Sequence, residues 1–165
     1  MRKYVKYIIM LAFVSLFFGG CNSNREGGQT AYPFDYVWEV EGNSVMIVDA
    51  YALDIYHTSD GATYQPEEGK MYIILECKVK FAEDWKISDR TYLHPLAYDN
   101  PETYVTLCDN TGVPDSNGYD SCILLFEIDK LSYPGTISDY VVEIWIQQSD
   151  KRFQTQNFCL RAPKK

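Results

Sequence analysis

From Tyr32 onward, apolar residues recur at every second position, the spacing of a strand with one buried face. Phe34, Tyr36, Trp38 and Val40 alternate with Asp35, Val37, Glu39 and Glu41, and Gly42-Asn43 marks a turn before a β-branched stretch from Val45 to Tyr51. A segment rich in Ser, Asp, Gly, Pro and Glu, about Thr58 to Gly69, reads as a loop. The clearest alternation follows. Met71, Ile73, Leu75, Cys77, Val79 and Phe81 share one face, while Glu76, Lys78 and Lys80 fall on the face expected to meet water. Residues 82–100 show no clean period, although Trp85, Ile87, Tyr92 and Leu96 suit packing and Pro95 and Pro101 bound short pieces. Shorter strands are expected at Tyr104–Cys108, Cys122–Ile128, Tyr140–Ile146 and Arg152–Leu160, with a turn at Ser132-Tyr133-Pro134-Gly135. Seven to eight strands with no convincing helix predict an all-β antiparallel fold, a sandwich in preference to a barrel. Its core is expected to hold Ile73, Leu75, Val79, Leu124, Phe126, Val142 and Ile144.

The N-terminus follows a different pattern. Arg2, Lys3 and Lys6 form a basic head, followed by an apolar run from Ile8 to Phe18 broken only by Ser15. About eleven residues are too few to span a ~30 Å hydrocarbon core as a helix, and the run has the build of a signal-peptide core. It ends in Phe18-Gly19-Gly20-Cys21, which resembles the lipobox of bacterial lipoproteins, with Phe18 where Leu is more usual. The resemblance implies lipidation of the Cys21 thiol, cleavage after Gly20, and an exported protein of the bacterial cell envelope held to a membrane by its acyl chains. Loss of residues 1–20 removes three cations and takes the formal charge from −8 to −11, so no polybasic surface supports the anchor. Residues 22–31 carry no large apolar side chain and read as a tether with a root-mean-square span of about 17 Å. The organisation expected is therefore a signal peptide over 1–20, a lipidated Cys and tether over 21–31, and a β-sandwich domain over 32–165.

Within the strand region, Gly69-Lys70-Met71-Tyr72-Ile73-Ile74-Leu75-Glu76-Cys77-Lys78-Val79 resembles a strand signature of the immunoglobulin-like "immunoprotective extracellular" domains of bacterial surface proteins. Cys108-Asp109-Asn110-Thr111-Gly112 is similar to a later turn of that family, and Cys122-Ile123-Leu124-Leu125-Phe126-Glu127-Ile128 to a later strand. The resemblance spans roughly residues 43–161 and implies an immunoglobulin-like sandwich in an extracytoplasmic compartment, with no reaction attached. Two departures stand out: Phe81-Ala82-Glu83 lacks the Asn that usually closes the strand, and the loop from Asp109 to Ser121 has its own Asp/Asn-rich content.

Composition narrows the function classes. An excess of 23 Asp+Glu over 15 Lys+Arg argues against a nucleic-acid partner. His57 and His94 are the only histidines, no nucleophile elbow surrounds a Ser, and Glu67-Glu68 and Glu83-Asp84 are adjacent pairs that diverge along extended chain. A non-catalytic binding or interaction domain is the reading adopted, ahead of a hydrolase. Tyr64, Tyr72, Tyr98, Tyr104 and Tyr119 fall in loops or on outward parities, where Tyr serves for sugar stacking or as an interface anchor. Protein and glycan partners both stay open, as does a structural envelope role.

Besides Cys21, four cysteines are present. Cys108 and Cys122 bracket a turn-rich loop and are candidates for a disulfide, which would leave Cys77 with Cys159. Cys77 and Cys122 also suit small core positions. The Asp109–Asp120 loop holds three carboxylates, Asp109, Asp115 and Asp120, a density of hard oxygen donors compatible with Ca²⁺. Its spacing departs from the EF-hand loop, and a polar hairpin loop whose Asp and Asn serve turn geometry is the competing reading.

Overall fold

Three long alternating segments become the three strands that organise the molecule: β5 (Lys70–Lys80), β10 (Asp120–Asp129) and β11 (Tyr140–Gln148). The computed structural model describes residues 33–58, 60–96, 102–110, 112–133, 135–149 and 152–160. The remaining strands are β1 (Trp38–Val40), β2 (Asn43–Leu53), β3 (Tyr56–His57), β4 (Thr63–Tyr64), β6 (Trp85–Ile87), β7 (Tyr92–Pro95), β8 (Thr103–Tyr104), β9 (Leu107–Asn110) and β12 (Phe153–Cys159). Two single 3₁₀ turns, Lys130–Ser132 and Ile137–Asp139, lie between β10 and β11.

The strands pair antiparallel into two principal sheets. The first runs β1-β2-β5-β10-β9, the second β12-β11-β7-β8 with β6 also on β11, and β3-β4 is a separate hairpin. The fold is an all-β sandwich. Between the two sheets, one core joins Val45, Ile47, Ile73, Leu75, Val79, Leu124 and Phe126 to Leu93, Val142, Ile144, Ile146 and Phe158, all at most 1% exposed. Every expected core residue lies in it.

The alternation erred on the outer face of the first sheet. Glu76 and Lys78 are half-buried there and Lys80 is exposed, but Tyr72, Ile74 and Leu125 on the same face are buried beneath Tyr56 and Tyr64 of the β3-β4 hairpin. The polar segment expected as loop thus supplies a lid. Tyr51 Oη donates to Glu76 Oε1 at 2.8 Å, so the carboxylate at the rim of this second cluster has a partner.

Local chemistry explains two further departures. The β1-β2 loop is Glu41-Gly42, one residue earlier than expected, with φ of +49° and +79°, the pattern of a type I′ hairpin turn. Asn43 is instead the first residue of β2. Its buried amide donates to Val40 O at 3.1 Å and its Oδ1 accepts from Ala82 N at 2.9 Å, tying the turn to the chain beyond β5. The single strand expected at Tyr104–Cys108 is divided: Val105 N donates to Thr91 O of the second sheet, and Thr106 N to Leu125 O of the first. The chain changes sheets between these two residues.

Candidate binding face

The outer face of the second sheet follows from the register of β11. Tyr140, Val142, Ile144 and Ile146 enter the core, so Glu143, Trp145 and Gln147 point the other way. Pairing places Asn157, Thr155 and Phe153 of β12 beside these three, Tyr92 of β7 beside Glu143, and Tyr104 of β8 beside Tyr92. Four aromatic rings and an acid thus share one face.

The turn between β6 and β7 adds a cation. Ser88 and Thr91 are buried, and where β6 gives way to β7 alongside β11, Thr91 Oγ1 accepts from Trp145 N at 3.1 Å and donates to Trp145 O at 3.3 Å, beside the backbone bond from Ser88 N to Trp145 O at 2.8 Å. Ser88 Oγ accepts from Arg90 N at 3.3 Å. Arg90 is exposed, and its guanidinium carbon lies 4.8 Å from the Phe153 ring centroid and 6.0 Å from that of Trp145. Cation–π attraction at such a partly exposed site contributes about 0.5–1 kcal/mol.

Around them the geometry is fixed by hydrogen bonds. Glu143 accepts from Tyr92 Oη at 2.5 Å through one carboxylate oxygen and from Thr155 Oγ1 at 2.8 Å through the other. Tyr104, 53% exposed, donates to Glu102 at 3.1 Å, and that bond raises its phenol pKa. The rings are tilted against each other: Tyr92 and Tyr104 at 56° with centroids 5.8 Å apart, Trp145 and Phe153 at 70° and 6.1 Å. They form a ridged surface, with no coplanar row.

Of the tyrosines singled out in the sequence, Tyr104 belongs to this face. Tyr64 packs on Tyr56, Tyr72 is buried, Tyr119 lines a shallow cleft with the β1-β2 turn, and Tyr98 lies outside the described residues, as does Cys21. Arg90, Trp145 and Phe153 carried no mark in the sequence reading. The available signal was Trp145 itself, an aromatic at the outward parity of β11 between Glu143 and Gln147.

The cysteine pairing needs correction. Cys77 is a free thiol facing the inter-sheet core, whereas Cys159 packs with Val141 and Leu96 in a different cluster, so a Cys77–Cys159 bond does not form. Cys108 and Cys122 do meet, across β9 and β10, but as free thiols with Sγ atoms 3.3 Å apart.

Each of the three loop carboxylates has a partner of its own. Asp109 Oδ2 accepts a long 3.4 Å bond from Tyr56 Oη, Asp120 Oδ1 accepts from Val113 N at 3.2 Å, and Asp115 bonds Lys78 Nζ at 2.6 Å. Among the described residues, no group of three or more His, Cys, Asp or Glu side chains is placed to hold a metal ion. Asp115 organises the loop instead. Its Oδ1 accepts from Asn117 N at 2.8 Å and Tyr119 N at 3.1 Å, and Gly118 takes the φ of +79° that the turn requires.

This arrangement predicts a titration. The hydrogen bond from Lys78, followed by those from the Tyr119 and Asn117 amides, holds the Asp115 carboxyl down at about 2. Its contribution to loop order is therefore complete above the ordinary carboxylate pKa of about 3.9 and is lost as pH falls towards about 2. The amide resonances of Asn117 and Tyr119 are expected to titrate with a midpoint near 2, and Asp115→Asn is expected to abolish it. A midpoint near 4 would contradict the assignment.

Neither protein-family models nor curated proteins match this chain. Among solved structures it is similar to an uncharacterised β-sandwich protein from Clostridium difficile 630, with a TM-score of 0.52 and 9% identity over 83% of this chain and 99% of that one. At that identity the likeness shows the sandwich fold alone.

Proposed function

We propose that this chain is a lipid-anchored lipoprotein of the bacterial cell envelope whose sandwich, of immunoglobulin-like kind, is a non-catalytic binding module for a protein partner. The anchoring part rests on the signal-like run and Phe18-Gly19-Gly20-Cys21. The observation that carries the binding part is the grouping of Arg90, Trp145, Phe153 and Tyr104 on one sheet face. Tyr, Trp and Arg are the residue types that most often dominate interface energies, because each offers a large, stiff contact surface with a polar end.

The tilt of the rings favours protein over glycan. A pyranose ring stacks on a flat aromatic platform, whereas these rings meet at 56° and 70° with a guanidinium lying over one of them. Such a ridged surface suits interdigitation with side chains. On the other outer sheet face, Tyr72, Ile74 and Leu125 are already covered by the β3-β4 hairpin. His57 Nδ1 is 3.0 Å from Thr63 Oγ1 within that hairpin, and His94 is buried on the second sheet, so the two histidines do not converge on one site. The test is photocrosslinking from position 104 in the intact envelope, with position 113 in the β9-β10 loop as the control.

A further inference from the structure

Cys108, Cys122 and Cys77 lie on three adjacent strands of the first sheet. Cys122 pairs directly with Cys77 on β5, while on β9 Cys108 stands opposite Leu124 and is therefore a diagonal neighbour of Cys122 on the same face. The three differ sharply in access. Cys77 and Cys122 are 2% and 1% exposed in the core, whereas Cys108, on the edge strand, is exposed.

Cys108 also opens onto a space. It lines an open cleft of about 270 Å³ at the side of the sandwich, together with Ile87, Ser88 and Asp89 from the second sheet and Val105 and Leu107 beside it. This volume lies just below the usual range for small-molecule sites and would take the end of a small ligand. Behind Cys108, the Cys122 sulfur sits at 3.3 Å, about 1.3 Å beyond a disulfide bond length. Cys108 sits on β9, a four-residue strand at the edge of the sheet, whereas Cys122 sits on the longer interior strand β10.

We propose that Cys108 and Cys122 form a thiol–disulfide exchange site, in which Cys108 takes up a low-molecular-weight disulfide from the cleft and Cys122 resolves it. In the first step, the Cys108 thiolate attacks one sulfur of the external disulfide RSSR. A Cys108–SR bond forms and RS⁻ leaves. In the second, the Cys122 sulfur attacks Cys108, the Cys108–SR bond breaks, and the Cys122 proton passes to the departing sulfur as RSH. The two protein thiols are oxidised to one disulfide and the external disulfide is reduced to two thiols.

The electrostatics match this order. The hydrogen bond between the two sulfurs lowers the Cys108 pKa and raises that of Cys122, favouring the thiolate at the exposed sulfur. Burial pushes the Cys77 thiol up, so the third sulfur stays protonated and does not compete as nucleophile. The thiol pair itself lies on the first sheet and its chemistry needs no protein partner, while the cleft borrows the Ser88-Asp89 turn and Gln147 from the second sheet.

The experiment treats the full-length chain in detergent micelles with oxidised glutathione, quenches with acid, and maps adducts and crosslinks by mass spectrometry. The parent chain is expected to show a Cys108–Cys122 crosslink without a lasting glutathione adduct. Cys122→Ala is expected to keep a glutathione adduct on Cys108, and Cys108→Ser to show neither product at Cys122. In the reduced parent, alkylation of Cys108 is expected to outpace that of Cys122 by on the order of tenfold or more. The proposal is overturned by absence of the 108–122 crosslink in the parent, by a lasting Cys108 adduct with Cys122 present, or by equal alkylation rates. The parent measurements stand even if a variant misfolds.

Discussion

Phe126→Ala is expected to lower the stability of the sandwich by about 3–5 kcal/mol. Phe126 is wholly buried in β10, directly opposite Ile73 of β5, within the cluster that joins the two sheets. Its truncation loses the transfer free energy of the ring and leaves a cavity that closely packed neighbours fill only in part. The central position of β10, with β5 on one side and β9 on the other, limits how far the backbone can collapse inward. Denaturant melts should show a lower midpoint with little change in slope. A loss below about 1 kcal/mol would place Phe126 outside a tightly packed core.

Cys21→Ala is expected to have the largest effect on location. If the Gly19-Gly20-Cys21 ending directs lipidation, the parent chain partitions with membranes and its mature N-terminal peptide begins at a diacylated Cys21. The variant has no thiol to modify and is expected either to lose the acyl-dependent attachment or to stay uncleaved. At a mature charge of −11, attraction to an anionic bilayer would not replace the missing chains. Fractionation with mass analysis of the N-terminal peptide reads both outcomes. A variant processed and retained like the parent would exclude the lipoprotein reading.

The core was legible because burial on one sheet face imposes a period of two that Ile73, Leu75, Val79, Leu124, Phe126, Val142 and Ile144 carry openly. Burial of Tyr72 and Ile74 was not, because it depends on a hairpin from elsewhere in the chain, and strands of two residues have no period to detect. β6 and β7 were obscured in a similar way. The Ser88–Thr91 turn, with Ser88 and Thr91 buried, divides the run that pairs with β11 into β6 and β7, and the Thr91 side chain bonds the Trp145 backbone between them. The division of Tyr104–Cys108 reflects a change of sheet that leaves no trace in hydropathy.

The candidate face was legible only at Tyr104. Arg90, Trp145 and Phe153 are brought together by the register of β11 with β12 and by the turn before β7, distances that sequence spacing does not encode. The acidic loop shows the reverse case. Asp109, Asp115 and Asp120 are close in sequence and suggested a cation site, yet each is engaged by a different neighbour, and Asp115 spends its oxygens on Lys78 and two loop amides. Turn chemistry and metal chemistry draw on the same residue types, and sequence spacing alone does not tell them apart.

The binding reading is tested most directly by placing a photoreactive residue at position 104 in the full-length protein and irradiating intact cells. Tyr104 is 53% exposed beside Tyr92 and Val113 is 74% exposed in a loop of the first sheet, so the candidate contact is compared with a control that is the more accessible of the two. A discrete protein adduct from position 104, absent from position 113 and diminished by Arg90→Ala, is the predicted result. Equal adducts from both positions, or none from position 104, would contradict the assignment of this face as the binding surface.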